Sequence, residues 1–333
     1  WLDSRMAAAA ATTTTTGNRL RHFLTASSFG LSGLRALVNG TLAIKRDPAK
    51  FHSAFAYRNT LLMFSKPSLR TRVSFEAGMT EMGGHAIYYP LDERAPLGQK
   101  ENIHDTAKCA SRFVSVIAAR LRTKAELHEL AQHATVPVIN LLDDWGHPCQ
   151  IIADLTTISE KREGALDAGS KFKLSFYGDG FNNVTYDLMR AGALLGWKVD
   201  VACPAGSEYE PCAEVLDECA ELTAVSKGEV RVVHDPLEAA RDSDVVYTDS
   251  WMSYGVSKEE EAARVARFGP YRVTSEIMAA AKKDALFMNC LPANRGHEQT
   301  AEVVDGPQSV VFDQAENRLH SHKAVVLYCL GLI

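Results

Sequence analysis

Three features are missing from this sequence, and each absence excludes a class of protein. No apolar run approaches the roughly 18–20 residues that a membrane-spanning helix requires, so no membrane partner is expected. A basic excess is absent, since 36 Lys and Arg stand against 41 Asp and Glu, and this balance disfavours nucleic-acid binding. No two of the 7 cysteines stand at C-x-x-C spacing, so neither a zinc ribbon nor a disulfide framework is indicated.

The composition is typical of a soluble intracellular protein with a full core. The chain has 333 residues, of which 46% are hydrophobic and 23% charged, and this length fits two domains better than one. Residues 1–20 contain a low-complexity Ala/Thr run and are predicted to be a disordered leader. The leader is poor in acidic residues but has few arginines, so both the mitochondrial matrix and the cytoplasm stay open as compartments.

Short apolar runs alternate with helical patterns along the rest of the chain. Strands are expected in two series, at 61–64, 86–89, 114–119 and 136–142, and then at 173–177, 198–203, 229–234, 244–248, 285–290 and 309–312. A helix from Ile151 to about Lys161 joins the two series. The pattern predicts an α/β fold of two doubly wound parallel-sheet domains, joined by interdomain helices, with a cleft between them. Ligands of such sheets bind beyond the carboxyl ends of the strands.

Residues that follow the strands of the first series suit an anionic ligand. The segment Ser68–Arg72 opens a helix, where free N–H groups, hydroxyls and a guanidinium can together bind an anion. Arg120 follows the third strand and can reach the cleft. His147 and Gln150 precede the joining helix, and a histidine there can polarise a carbonyl. Taken singly, each of these residues has an ordinary alternative as a helix cap or a surface charge.

A glycine-rich turn at Gly178–Asn183 opens the second series and permits a test for dinucleotide binding. The dinucleotide fingerprint requires G-x-G-x-x-G/A and an acidic residue at the end of the next strand. Here Asn183 occupies the third position, and the next strand ends at Cys203 with Asp200 inside it. A dehydrogenase is therefore disfavoured, and the two asparagines that open the next helix, Asn182 and Asn183, can instead donate to and accept from a polar ligand.

Three residues in the second series combine a carboxylate, a thiol and a guanidinium. Asp249, Cys290 and Arg318 each follow a predicted strand. Individually they suit a loop cap, a small buried side chain and a surface charge. Because the carboxyl ends of parallel strands share one edge of a sheet, their joint position favours a common site.

These motifs, in this order, resemble those of the ornithine transcarbamylase family from about Arg21 to the last helix. The matching segments are Ser68–Arg72, His147–Gln150, Asp249–Gly255, Asn289–Pro292 and Gln314–Arg318, which are similar to the family's S-T-R-T-R, H-P-x-Q, D-x-x-x-S-M-G, H-C-L-P and A-E-N-R motifs. The D-x-x-x-S and C-L-P loops separate this family from aspartate transcarbamylases and point to ornithine.

The resemblance implies transfer of a carbamoyl group from carbamoyl phosphate to the δ-amine of L-ornithine, giving citrulline and phosphate. It further implies a homotrimer and no metal or organic cofactor. By the same resemblance, residues 21–150, with a C-terminal helix at 318–333, would form the carbamoyl phosphate-binding domain. Residues 151–317 would form the ornithine-binding domain.

The resemblance also assigns roles to individual residues. The expected carbamoyl phosphate-binding residues are Ser68, Leu69, Arg70, Thr71, Arg120, His147, Gln150, Cys290, Leu291 and Arg318. The expected ornithine-binding residues are Asn183, Asp249, Ser253 and Tyr254. The expected catalytic residues are Cys290, Asp249, Arg120, His147 and Arg318.

Three departures from the family pattern leave details open. Leu69 replaces a threonine, Tyr254 replaces a methionine in the amino-acid loop, and Asn289 replaces the histidine before the cysteine. We expect the last two to affect acceptor choice and the pH profile. A carbamoyltransferase that uses putrescine or another amine, a catabolic ornithine enzyme and a non-catalytic binding protein remain as alternatives.

Overall fold

The computed structural model describes residues 20–91, 96–252 and 258–333. The strands of this part of the chain are β1 (Asn59–Phe64), β2 (His85–Pro90), β3 (Val116–Arg120), β4 (Val138–Leu142), β5 (Lys173–Tyr177), β6 (Lys198–Ala202), β7 (Glu229–Val233), β8 (Val245–Thr248) and β9 (Leu286–Asn289). They form two parallel sheets, with strand orders β2-β1-β3-β4 and β7-β6-β5-β8-β9. The predicted fold class is therefore confirmed.

Helices connect the parallel strands, as crossover connections require. They are α1 (Gly30–Arg46), α2 (Leu69–Glu81), α3 (Ile103–Ala110), α4 (Lys124–His133), α5 (Pro148–Lys161), α6 (Asn183–Leu195), α7 (Ala213–Ser226), α8 (Pro236–Ala240), α9 (Lys258–Phe268), α10 (Ser275–Ala280), α11 (Ala301–Val304) and α12 (Val311–Cys329). The described part of the chain contains no helix long and apolar enough to cross a membrane.

Helix α5 joins the two sheets and lies in the middle of the molecule. Every residue from Pro148 to Ile158 is buried, polar ones included. Helix α12 packs against α5 and also against α1 and α2. Residues of α5 and α12 thus share one hydrophobic core with strands of both sheets, and this fixes the cleft-facing ends of both helices.

The last predicted strand, residues 309–312, is wrong. Ser309 makes only an isolated bridge to Phe287, and α12 begins at Val311. A short apolar run cannot be assigned to strand or helix by periodicity alone, and here it is the first turn of a buried helix. The predicted C-terminal helix at 318–333 is corrected accordingly, because the observed helix begins seven residues earlier, at Val311, and ends at Cys329. Arg318 therefore lies within a helix and does not follow a strand.

Two sets of predictions lie outside the described residues. They are the disordered leader, of which only Leu20 is described, and the ornithine-binding residues Ser253 and Tyr254.

Candidate active site

A cleft of about 560 Å³ lies where the carboxyl ends of the two sheets face each other. Its walls come from segments at or after the ends of β1, β3, β4, β5, β8 and β9, with Arg318 added from α12. The predicted site residues that line it are Ser68, Leu69, Arg70, Thr71, Arg120, His147, Gln150, Asn183, Asp249, Cys290, Leu291 and Arg318. The structure thus brings together every predicted site residue that it describes.

The first turn of α2 forms an anion-binding corner of the cleft. Ser68 is the N-cap, and its hydroxyl accepts a hydrogen bond from the Thr71 N–H at 3.3 Å. The Arg318 guanidinium donates to the Thr71 hydroxyl at 3.1 Å. The Leu69 side chain is 75% exposed, so this position can serve the cleft only through its backbone. The replacement of threonine by leucine is compatible with that use.

Four cationic side chains line this corner of the cleft. Arg318 and Arg120 are only 2% and 8% exposed, and Arg70 and Lys66 are partly buried. Burial lowers the pKa of Arg318, but a guanidinium stays charged at any physiological pH. Burying several cations in one place is costly, so the arrangement favours a multiply charged anion that neutralises them. Lys66 was missed from the sequence, although it precedes the anion-binding turn.

His147 contributes a neutral imidazole to the same wall of the cleft, close to Arg318 and Arg120. Burial, followed by the nearby charges of Arg318 and Arg120, holds the pKa of His147 well below its usual range. Its Nδ1 has no hydrogen-bond partner among the described residues. A neutral imidazole has one donor and one acceptor nitrogen, so His147 can donate to a ligand oxygen without adding charge.

Asp187 of α6 fixes the backbone at His147 from across the domain boundary. Its buried carboxylate accepts hydrogen bonds from the N–H groups of His147 at 2.8 Å and Ala26 at 3.1 Å, and from Arg190 at 3.0 Å. A Cβ on Gly146 would lie 2.6 Å from the carboxylate, so the close approach requires glycine there. Sequence reasoning missed Asp187, because it lies inside a helix and belongs to no motif.

Asp249 and Cys290 form a hydrogen-bonded pair on the second domain. The Cys290 thiol donates to Oδ1 of Asp249 at 3.0 Å, and Asn182 donates to Oδ2 at 3.3 Å. Burial and the Asp249 carboxylate raise the pKa of Cys290 well above its usual range. Burial also raises the pKa of Asp249, against hydrogen bonds that lower it. The thiol therefore holds the proton of the pair at neutral pH, and the carboxylate is the acceptor.

The two asparagines at the start of α6 have different partners. Asn182 caps the helix by accepting from the N–H of Val184 at 2.7 Å, and it lines the cleft beside Asn183. The Asn183 side chain donates to the backbone carbonyl of Asp143, which precedes His147 in the first domain. Asn183 thus lines the cleft and also ties its two walls together.

Asn289 lies behind the Cys290 loop and is not among the cleft-lining residues. It is fully buried, its Oδ1 accepts from the Leu291 N–H at 2.7 Å, and its Nδ2 donates to Gln299 at 3.0 Å. Leu291 adopts a left-handed conformation with φ of 59°, which this hydrogen bond helps to hold. Position 289 therefore shapes the Cys290 loop from behind, and its effect on acceptor choice and the pH profile stays a prediction.

The described residues include no group of three or more His, Cys, Asp and Glu placed to hold a metal ion. The groups that face the cleft are instead cations, hydroxyls, an imidazole, a carboxylate and a thiol. Such a set can bind an anionic donor, polarise a carbonyl and orient an amine. The fold and the cleft therefore define a two-domain transferase with an anionic group donor.

Comparison with known proteins agrees with this class. Residues 21–160 match the family model of the aspartate/ornithine carbamoyltransferase carbamoyl-P binding domain, and residues 170–329 match the model of the Asp/Orn binding domain. The chain therefore belongs to the aspartate/ornithine carbamoyltransferase family.

Individual relatives are similar over most of their length. The ornithine carbamoyltransferase of Acidothermus cellulolyticus is 45% identical over 312 residues, which cover 93% of this chain and 97% of that one. The anabolic ornithine carbamoyltransferase of Pyrococcus furiosus is 45% identical over 282 residues, covering 85% and 87%. The ornithine transcarbamoylase structure from Giardia lamblia superimposes with a TM-score of 0.85 at 46% identity, covering 94% and 99%.

Proposed function

We propose that this protein transfers the carbamoyl group of carbamoyl phosphate to the δ-amine of L-ornithine, forming L-citrulline and phosphate in arginine biosynthesis. The observation that carries the proposal is a single cleft in which an anion-binding corner of one domain faces the Asp249–Cys290 pair of the other. Relatives named for this activity, one of them anabolic, support the choice of substrates.

Carbamoyl phosphate binds with its phosphate at the start of α2. Ser68, the Leu69 N–H and Thr71 donate hydrogen bonds, and Arg70 and Arg120 neutralise the dianion. Such charge-assisted hydrogen bonds are about twice as strong as neutral ones. A phosphate held at a helix N-terminus beside two guanidinium groups is also a better leaving group, because the charge that develops on it is already compensated.

The carbamoyl group lies between the walls of the cleft. The neutral His147 imidazole and the Thr71 hydroxyl donate to its carbonyl oxygen as the tetrahedral centre forms. Gln150 and the backbone carbonyl groups near Leu291 orient the carbamoyl NH₂. Arg318, which bonds to both Thr71 and Gln150, holds these two ligand-binding side chains in place and adds positive charge.

Ornithine approaches from the second domain. Its δ-amine attacks the carbamoyl carbon only as the free base, although its solution pKa is roughly 10, close to that of lysine. The Asp249 carboxylate, with Cys290 beside it, accepts a hydrogen bond from this nitrogen and takes its proton. The attack forms the new C–N bond and the tetrahedral centre, and collapse of that centre then breaks the C–O bond, so that phosphate leaves with its electron pair. Asn183, Ser253 and Tyr254 hold the α-amino and carboxylate groups.

The carbamoyl phosphate-binding domain comprises residues 21–150 with the C-terminal helix, and the ornithine-binding domain comprises the segment between them. The packing of α12 against α1 and α2 of the first domain supports this division. The protein assembles as a homotrimer. Large apolar side chains on the first domain support an assembly, because Leu69 and Val73, one turn apart on α2, are 75% and 54% exposed and Phe113 is 71% exposed.

Carbamoyl transfer to ornithine, putrescine and aspartate, each offered at the same concentration and followed by its own N-carbamoyl product, tests the proposed acceptor. We expect ornithine to have the highest kcat/KM, since the second domain presents a carboxylate, amides and hydroxyls suited to an amino acid. Aspartate serves as the matched control, because it uses the same donor and the same first domain. A higher kcat/KM with putrescine would contradict the proposed acceptor while leaving carbamoyl transfer intact.

A further inference from the structure

We propose that Asp154 is a positioning residue for carbamoyl transfer, the common acceptor of two hydrogen-bond chains that hold the two walls of the cleft. The inference rests on the proposed function. Asp154 lies within α5 and is fully buried behind the cleft-lining Gln150, one turn away. A carboxylate is rarely buried without a specific partner or purpose, and here its partners are uncharged amides and a phenol.

The first chain begins in the anion-binding corner. Arg318 donates to Oε1 of Gln150, and Nε2 of Gln150 donates to Oδ1 of Asp154 at 2.7 Å. A guanidinium can only donate, so the Gln150 oxygen must face Arg318 and its NH₂ must face Asp154. Each donor and acceptor in this chain therefore has only one possible role, and the Gln150 amide has only one possible orientation.

The second chain begins in the loop that carries Cys290. The backbone N–H of Asn289 donates to Oε1 of Gln314 at 3.0 Å, and Nε2 of Gln314 donates to Oδ1 of Asp154 at 2.7 Å. A backbone N–H also only donates, so this chain has a fixed direction too. The side-chain Oδ1 of Asn289 in turn accepts a hydrogen bond from the N–H of Leu291 at 2.7 Å, which extends this chain to the loop after β9.

Both chains thus end on the same oxygen atom. The other oxygen of Asp154 accepts from the Tyr247 hydroxyl at 2.9 Å, and that hydroxyl is itself 3.0 Å from Nε2 of Gln314. Three donors therefore converge on one carboxylate. Burial raises the pKa of Asp154 to about 6, so it is mainly ionised at neutral pH and can accept from all of them.

Asp154 therefore fixes the distance between two groups that both contact the carbamoyl NH₂, the Gln150 side chain and the Leu291 carbonyl. Gln150 belongs to α5 and the Leu291 carbonyl to the loop after β9, so no single element sets their distance. Asp154 sets this distance because it accepts hydrogen bonds from Gln150 itself and from Gln314, which holds the loop of Leu291. A displacement of about 1 Å in such a site can reduce the rate about 100-fold.

The test compares Asp154→Asn with Gln314→Met and a control variant. Asparagine keeps the size of the side chain but removes the charge and replaces one acceptor oxygen with a donor NH₂. Gln314→Met breaks only the second chain. The control is Thr156→Val on the same helix, because the fully buried Thr156 hydroxyl donates to the Ile152 carbonyl within that helix. For each protein, kcat, both KM values, calorimetric Kd for carbamoyl phosphate and Tm are measured.

We expect Asp154→Asn to lower kcat by about 10- to 100-fold and to weaken carbamoyl phosphate binding, as loss of a supporting hydrogen-bond partner commonly does. Gln314→Met should lower kcat by about tenfold while leaving that Kd within about threefold. Thr156→Val should change kcat and Kd by less than about twofold, whatever its Tm.

Folded Asp154→Asn with kcat and Kd within about threefold of the unmodified protein overturns the proposal. If Asp154→Asn does not fold, unchanged kcat in Gln314→Met overturns it. Equal losses in Thr156→Val also overturn it, because they would show a general response to changes in α5. Failure of the unmodified protein to use ornithine contradicts the proposed function instead, and the Kd comparison then still tests the role of Asp154.

Discussion

Replacing Asp249 with asparagine should make the Cys290 thiol more reactive in the unliganded protein. The thiol donates to the carboxylate at 3.0 Å, so its ionisation would place two negative charges at that separation. At an effective dielectric constant near 20, their repulsion is about 5 kcal/mol. Asp249→Asn removes this repulsion, and the pKa of Cys290 should therefore fall. Part of the effect will be lost to relaxation of the site, so we expect alkylation at pH 8 to be at least about tenfold faster.

The assay is alkylation by iodoacetamide at pH 8, with modified peptides quantified by mass spectrometry over time. Cys109 is exposed on α3 and serves as an internal control in each sample, because it does not line the cleft. The quantity compared is the rate at Cys290 divided by the rate at Cys109, and matched Tm values exclude unfolding. An unchanged or lower ratio in Asp249→Asn would show that the carboxylate does not hold the thiol in its protonated form.

Three further predictions concern the anion-binding corner, His147 and the assembly. Arg70→Met and Arg120→Met should each lower kcat/KM by an amount that corresponds to about 2–5 kcal/mol of lost transition-state stabilisation. Near-normal kcat/KM in both variants would contradict the placement of the phosphate in this corner. Burial lowers the pKa of His147 in the folded protein, so the neutral imidazole makes its full contribution to the free energy of unfolding above pH 6.5. This contribution is lost as the pH falls, because the unfolded chain takes up a proton that the folded chain does not. In urea unfolding, the unmodified protein should therefore lose up to about 1.4 kcal/mol per pH unit relative to His147→Gln below pH 6.5, and a constant difference would contradict this. Light scattering should give a mass near three times 36.4 kDa, whereas a monomer at micromolar concentration would refute the trimer.

Strand ends were the feature of the sequence that best located the site. The run at 173–177 is a strand with the predicted bounds, and the turn after it enters the cleft, because parallel strands bring their carboxyl ends to one edge. Arg70, His147 and Cys290 could be found because each follows such an end. The family motif predicted that Arg318 belongs to the site, and Arg318 does line the cleft. The predicted strand before it was wrong, because Arg318 lies inside α12.

Supports behind the site could not be predicted from the sequence. Asp187, Asp154 and Gln314 lie inside helices, and their roles depend on tertiary contacts with residues 40 to 160 positions away. Helical periodicity indicates which residues face the core, but a helix buried on all sides gives no such signal. Asn289 shows the same limit, because the sequence places it beside Cys290 but does not indicate that its side chain points away from the cleft, into the protein.

The central claim is that this cleft joins the carbamoyl carbon to the δ-nitrogen of ornithine. The most direct test incubates the protein with ¹³C-labelled carbamoyl phosphate and δ-¹⁵N-labelled ornithine and follows the product by NMR. Arg70→Met serves as the control, because free carbamoyl phosphate decomposes to cyanate, which modifies amines without an enzyme. The account predicts one-bond ¹³C–¹⁵N coupling in citrulline, formed far faster with the unmodified protein than with the control. Coupling that appears at the same rate in both samples, or ¹³C bonded to the unlabelled α-nitrogen, would contradict it.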